Sequence, residues 1–425
     1  MKKLLFTLSI TSILSILLSS CTPAQIAVAT ATPPPASSPQ PTLTAAHADH
    51  NTIRVPEDHP TIQAAIDAVA DGGLVLVAPG TYTEQLVISR TITLASYFHT
   101  TGEERFINET IIDGAGVNRI ITVNKTATDA KIIGFTIQNG NDGIKARGDV
   151  QILNNHFQFT KDAVDYQNGG GVNRGNLYEN NDDDGIDLDA ATSVTIEGNI
   201  IRNNKNEGIE IRLHEYTGPV LNIVIRDNII SGNKEDGIQL IDYPGISDRV
   251  FLIERNLIQG NSMAGLGLMD GGVSNEDFRG SSIPERIYLI NNTFIDNPYA
   301  VSGGDNLIAL NNLFINCTTL ALKNVDANSA VAYNLFWNNK ENSQGTNIVR
   351  NTNLFSDPML NENAELQQGS PAIDAGVTRF EWKSEVVLDL QSGMYIGAAP
   401  DIGAYEIDLP TTSSQDTMAI GVMEH

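Results

Sequence analysis

An asparagine followed five residues later by a second asparagine recurs along this chain, with first members at Asn155, Asn176, Asn199, Asn228, Asn256, Asn292, Asn312 and Asn334. The partners are Asn181, Asn204, Asn233, Asn261, Asn297 and Asn339, with Thr160 and Cys317 in the remaining two places. Successive first members are 21, 23, 29, 28, 36, 20 and 22 residues apart. Apolar couplets lie inside the pairs, as in Ile200-Ile201, Ile229-Ile230 and Leu257-Ile258. A short repeat of this kind means stacked coils, each burying its inner face against the next. Stacking also decides which residues are neighbours in space. The two asparagine columns are therefore expected to be internal ladders, each amide bonding the one a coil away, because buried amides need partners. Cys317 falls in a ladder slot and reads as a buried, inert thiol.

A second marker follows each first asparagine by eight or nine residues: Ala163-Val164, Gly185-Ile186, Gly208-Ile209, Gly237-Ile238, Gly265-Leu266, Ala300-Val301 and Ala321-Leu322. Gly143-Ile144 marks an earlier coil. The small residue suits a tight bend and the apolar residue after it points inward. Residues two and four beyond the small one then face outward, since strand side chains alternate. The residue just before the bend is placed outward too.

Three outward columns result. They read Asp142, Asp162, Asp184, Glu207, Asp236; then Lys145, Asp165, Asp187, Glu210, Gln239; then Arg147, Gln167, Asp189, Arg212. A merely solvated face would scatter its charges, whereas these acids cluster on a few consecutive coils. Coils lie about 4.8 Å apart. Two carboxylates at about 5 Å repel by roughly 3 kcal/mol at an effective dielectric of about 20. Such a patch needs a cation or a proton. A hard cation with oxygen ligands fits, and Ca²⁺ is the expected ion outside the cytoplasm. The other resolution is that the acids splay apart and Arg147, Arg212 and Lys145 neutralise them.

Charge narrows the partners. Acidic residues number 51 against 26 Lys plus Arg, a formal charge of -25. Such a chain repels nucleic acid and anionic membrane, and would grip an anionic polymer only through a cation. At the N-terminus Lys2 and Lys3 precede the apolar run from Leu4 to Leu18, which is too short to span a bilayer and reads as a secretory signal over residues 1–20. Leu18-Ser19-Ser20-Cys21 resembles a bacterial lipobox, with cleavage before Cys21 and lipid on its thiol. The expectation is an exported, lipid-anchored envelope protein, monomeric, touching membrane only through Cys21. Acylation of Cys21 would leave Cys317 without a disulfide partner. Residues 21–51 are an Ala/Thr/Pro/Ser linker, the coils occupy 52–340, a capping segment 341–409, and residues 410–425 are a disordered tail.

Ile62, Ala65, Ile66 and Val69 behind Pro60-Thr61 have helical spacing, and short β-branched runs follow at Leu74–Val77, Leu86–Ile88 and Thr91–Leu94. The stretch from Thr61 to Leu94 resembles the entry of right-handed parallel β-helices of the pectin-lyase-like class, in which a helix shields the first open sheet edge. The fold expected is all-β, a right-handed parallel β-helix with an N-terminal capping helix. Phe355-Ser356-Asp357-Pro358, Gly369-Ser370-Pro371 and Asp401-Ile402-Gly403-Ala404-Tyr405-Glu406 resemble the terminal segment of many secreted bacterial β-helix proteins.

Asp183-Asp184-Gly185-Ile186-Asp187, with Asp162 one coil earlier, resembles the calcium quartet of family 9 polysaccharide lyases, which are pectate lyases. That resemblance covers about two coils. It implies Asp162, Asp183, Asp184 and Asp187 as calcium ligands, flanked by Asp165 and Glu210. The family takes the C5 proton of a uronic acid with a Lys after the quartet, in a Gly-aromatic-Lys setting. Here that place in Gly208-Ile209-Glu210 belongs to Glu210, with Gln239 a coil further on. The candidate bases are therefore Arg212, on the coil after Asp187, and Lys145, on the coil before Asp165.

The three long coils carry their extra residues at one corner, in His214–Pro219, Asp242–Asp248 and Asp270–Pro284. Loops stacked there would make a wall, and Tyr216, Tyr243 and Phe278 would either stack on sugar rings or anchor the loops. A wall beside an acidic sheet is a groove suited to a polymer. Two functions follow as expectations. One is a calcium-dependent lyase or C5-epimerase acting on an acidic polysaccharide; the other is a non-catalytic glycan-binding or envelope protein on the same fold.

Overall fold

The computed structural model describes residues 51–279, 281 and 283–408. The expected signal peptide, Cys21, the linker up to residue 50 and the tail 410–425 lie outside the described residues.

The chain enters through the strand Thr52–Val55 and the helix Ile62–Ala68. Thr61 caps that helix by accepting from the Ala64 amide, and the Glu84 carboxylate takes the amides of Ile62 and Gln63 at 2.9 and 3.0 Å. These contacts satisfy donors that a helix N-terminus leaves open. Ile62, Ala65 and Ile66 are buried against the first coil, as the apolar spacing requires. Two further short helices, Phe98–Thr101 and Arg105–Glu109, were not legible as helical patterns.

Beyond the entry each regular coil contributes strands to parallel ladders. One ladder is a 12-stranded sheet running from Thr52–Val55 to Ala330–Ala332. The short strands after the first asparagines form a second ladder, with Leu177, Ile200, Ile229, Leu257, Thr293 and Leu313 in register. The strands after the small residues form the third, and they carry the acids. Asn199, Asn228 and Asn256 thus lie in one line. The Nδ2 of each first-column asparagine from Asn155 to Asn334 donates to the Oδ1 of the next, as from Asn199 to Asn228 at 3.0 Å, and the column ends on Asn353. The second column does the same from Asn181 to Asn297. It breaks at Cys317, whose side chain offers no carbonyl oxygen, and Asn297 keeps the backbone bonds to the Ile258 and Ile295 carbonyls.

The residue before each ladder asparagine is left-handed: Asn154, Gly175, Gly198, Asp227 and Asn291 in one column, Asn180, Asn203, Gly232 and Gly260 in the other. Gly, Asn and Asp take that conformation at least cost, which is why they recur at the corners. Inside, Ile186, Ile209, Ile238 and Leu266 stack with the couplet residues Ile201, Ile230 and Ile258 in one continuous core. Phe294, Phe314 and Phe336 form a ring stack with centroids 5.4 and 5.1 Å apart.

The last described segment runs back along the flank of the final coils. Leu366, Ala372 and Ile402 pack on Leu313, Ile315 and Leu335. Asn291 bonds the Asp401 carbonyl, and the Ala404 amide bonds Thr293. The hairpin Arg379–Trp382 with Glu385–Asp389 lies against Ile308, Leu310, Ala330 and Ala332.

Candidate functional site

Four neighbouring parallel strands carry the acids: Asp162–Gln167, Ile186–Asp189, Ile209–Leu213 and Ile238–Asp242. Register places Lys145, Asp165, Asp187, Glu210 and Gln239 in one column and Gln167 beside Asp189 in the next. The bend column pairs Asp142 with Asp162. These side chains leave the apolar core as alternation requires, yet they do not stand in water. Asp165, Asp184, Asp187, Glu207 and Glu210 are at most 6 % exposed. The acids pack on one another along the stack; Lys145 and Arg212 cover Asp165, Asp187 and Glu210, while Asp184 accepts from the Glu207 amide.

Three carboxylate groups have ligand atoms within 4.8 Å of one another: Asp162 with Asp183 and Asp184; Asp184 with Asp187 and Glu210; and Asp165 with Asp187 and Asp189. The quartet implied by resemblance is therefore divided. Asp162 and Asp183 lie on one side of Asp184, while Asp187 lies on the other and meets Glu210. Asp184 and Asp187 each belong to two groups. All donors are carboxylate oxygens, the set a hard divalent cation prefers.

Burial dominates the electrostatics. It pushes Asp162 up to about 6 and Glu207 up to about 9, and drives Asp184 and Asp187 well above the usual carboxylate range. Asp165 and Glu210 move the same way, for the same first reason. Mutual repulsion adds to it: Glu207 and Glu210 act on Asp184. A buried acid in this state is held neutral by a proton or ionised by a bound cation.

Of the three bases expected to neutralise the acids, Lys145 and Arg212 do so, whereas Arg147 lines a cleft at the end of the face. Lys145 bridges Asp165 and lies 3.6 Å from Asp142, which Arg119 also pairs at 3.1 Å. Arg212 pairs Asp187 at 2.9 Å, Asp189 at 3.4 Å and Glu210 directly. The three acids raise its guanidinium further above its already high range. Arg212 and Lys145, the expected proton acceptors, thus both stand in ion pairs with the acids they were expected to flank. A guanidinium clamped by three carboxylates has no free lone pair, and Lys145 Nζ is engaged by Asp165 and Asp142.

One residue at the site escaped the sequence reading. Lys161 places its ammonium 2.5 Å from Asp183 and 3.4 Å from Asp162, with half of its side chain exposed. Its signal was present one position before the bend column, where Asn141, Lys161, Asp183 and Asn206 follow each other coil by coil. Asn206 bonds Asp183 from the far side.

The long corner differs from a set of loose loops. His214–Pro219 runs into the strand Tyr216–Arg226, which pairs with Ser247–Glu254. The aromatics serve as anchors: Phe278 stacks on Tyr299 at 4.3 Å, Tyr243 packs on His214, and Tyr216 lies under Arg249. At the other end of the face a cleft of about 650 Å³ is lined by Asn124, Lys125, Thr126, Arg147, Gln167 and Asn168.

Residues 118–283 match the family described as the right handed beta helix region. Pectate lyase Pel9A has a similar structure, with a TM-score of 0.54 and 17% identity, covering 81% of this chain and 90% of that one. The fold is a right-handed parallel β-helix. The A-module of Azotobacter vinelandii mannuronan C-5 epimerase AlgE6 scores 0.45 at 17% identity, covering 70% of this chain and 94% of its own. The catalytic unit of a GH87 alpha-1,3-glucanase from Streptomyces thermodiastaticus scores 0.37 at 17% identity, covering 69% and 64%. At these identities the likeness is one of fold. No curated protein matches the sequence.

Proposed function

We propose that this β-helix binds an acidic polysaccharide through calcium held on its carboxylate face, and does so at the cell envelope, anchored through Cys21. The observation that carries the reading is the linked set of buried acids centred on Asp184, with Asp162 and Asp183 on one side and Asp187 and Glu210 on the other. Calcium there would bring positive charge to a surface that otherwise repels a uronate. Arg147 and Lys125, in the cleft at the end of the same face, supply complementary charge for a neighbouring carboxylate of the polymer.

A second reading is cleavage or epimerisation by proton abstraction at C5, and Lys161 favours it. Its ammonium occupies the gap between Asp162 and Asp183, its side chain is half exposed, and a divalent cation on those acids would displace it. An amine released beside a cation loses its proton more readily than one in a salt bridge. Lyase chemistry in this chain would then draw its base from Lys161.

The test is to mix the protein with pectate and with mannuronan, with calcium and with chelator, following both binding and ultraviolet absorbance. Calcium-dependent binding with neither an absorbing product nor a change in the C5 configuration of the recovered polymer supports the first reading. Growth of absorbance that disappears in Lys161→Ala supports the second. Binding that is equal in chelator contradicts both. For the anchor, Cys21→Ala should release the protein or leave its precursor uncleaved; unchanged anchoring would contradict it.

A further inference from the structure

Column two of the acidic face loses its side chain at Gly267, between Gln239 on the preceding coil and Ser302 on the following one. The space is not open. A Cβ on Gly267 would collide with Oδ2 of Asp236 and with Oε2 of Glu276, so two carboxylate oxygens from different parts of the chain converge on one point. Asp236 comes from the coil wall and is fully buried; Glu276 reaches in from the segment 270–284 and is 7 % exposed.

The oxygens around that point are short of partners. Asp236 uses Oδ1 on the Ala264 amide at 2.6 Å and meets the Gln239 amide nitrogen with Oδ2 at 3.2 Å. Glu276 uses Oε1 on the Phe278 amide. Glu276 Oε2, Gln239 Oε1 and Ser302 Oγ are buried without any hydrogen-bond partner in the protein. Gln239 and Ser302 are fully buried, and each stands in register with Gly267. Buried oxygens are seldom left without partners, and here one carboxylate oxygen, one amide oxygen and one hydroxyl are left so together, which points to a ligand that meets them.

The geometry points to a second cation site, at Gly267, in which a hard divalent cation such as calcium is held by Asp236, Glu276 and Gln239, with Ser302 beside it, and fastens segment 270–284 to the coils. A half-turn of the Gln239 amide brings its oxygen to the place its nitrogen now holds against Asp236. The ligands are all oxygens of mixed type, the pattern of a calcium site. The charge balance agrees. Glu235 and Asp277 add negative potential, and Lys323, the cation facing the pair, makes no salt bridge to either acid. Burial lifts Glu276 up to about 7, so the alternative occupant is a shared proton. The site lies two coils beyond Glu210 in the same column and shares no residue with the Asp184 groups.

Trypsin reads the two occupants apart. Arg279 is 77 % exposed in its side chain and is the single basic residue of segment 270–284. With the full chain at neutral pH, calcium should slow cleavage after Arg279 by about tenfold relative to chelator, since only the fastened segment binds the ion. Glu276→Gln, and independently Gly267→Ala, should abolish that protection while the protein stays folded by circular dichroism. Asp184→Asn, which damages the other carboxylate groups, should keep it. Equal cleavage with and without calcium in the wild type, or unchanged protection in both Glu276→Gln and Gly267→Ala, would overturn the site in favour of a shared proton. Loss of protection in Asp184→Asn alone would assign the effect to the first site and overturn this one as well.

Discussion

Nη1 of Arg212 donates to both carboxylate oxygens of Asp187, each at 2.9 Å, while Nη2 of the same guanidinium pairs Glu210. One side chain therefore offsets part of the burial that raises both acids. Arg212→Ala leaves both unpaired. Removing one partner of a buried pair costs about 3–5 kcal/mol. The expected result is a clear drop in melting temperature in chelator, and partial recovery in calcium, because the ion replaces the lost charge. A drop that calcium leaves untouched would show that Arg212 acts only by packing.

The pH dependence follows from the same burial. Asp162 and Glu207 have folded-state values near 6 and near 9, above the roughly 4 of an unfolded carboxylate. Raised acids bind protons more tightly in the folded state, so their stabilisation is complete below about pH 4 and is lost as pH climbs through 6 and then 9. In chelator the melting temperature should fall between pH 5 and pH 8. Calcium binding strengthens as its ligands deprotonate, so saturating calcium should flatten that fall. A thermal scan series with and without calcium checks both parts; a melting temperature that rises over this range in chelator would contradict the burial argument.

The asparagine ladder makes a sharper stability prediction. Asn228 accepts from the backbone and side-chain nitrogens of Asn199 and donates to Ile196 and Asn256. Asn228→Ala strands several buried groups at once, each worth about 1–3 kcal/mol. Denaturant unfolding should show a loss of several kcal/mol, larger than for Ile230→Val in the same coil, which removes one buried methyl at about 0.5–1.5 kcal/mol. A smaller loss for Asn228→Ala would mean that water replaces the ladder.

Cys317 offers the converse experiment. It is 1 % exposed, and burial pushes its thiol up to about 12, so it should resist alkylation in the folded protein. The neighbouring coils hold asparagine in its slot, and Cys317→Asn would rejoin Asn297 to Asn339. The expected gain is on the order of 1 kcal/mol, read from the same denaturant midpoints.

The Asn pairs carry the coil register in the sequence itself, and that register aligns Asp187 with Glu210, as the strands do. Period and alternation are properties of the backbone, so they survive in sequence. Ion pairing is not. Nothing in the spacing says that Arg212 folds back onto Asp187, or that the acids are covered and not solvated, because both depend on rotamers and on burial by side chains from adjacent coils. Lys161 is not legible as a site residue because it precedes the strand Asp162–Gln167, outside the alternation that assigns side chains to a face. Glu276 was invisible for a different reason: it lies in an irregular segment, where no period carries information, and it reaches Asp236 across the wall.

The most direct measurement is a calorimetric titration of calcium into the wild-type protein and into Asp184→Asn, at a pH above 7 and after chelator treatment. Asp184 belongs to two of the three carboxylate groups, the two that it links into one set. The account predicts calcium binding in the wild type and loss of at least one ion in Asp184→Asn, with circular dichroism unchanged. Calcium binding of the same stoichiometry and affinity in the two proteins, or none in the wild type at millimolar calcium, would contradict it.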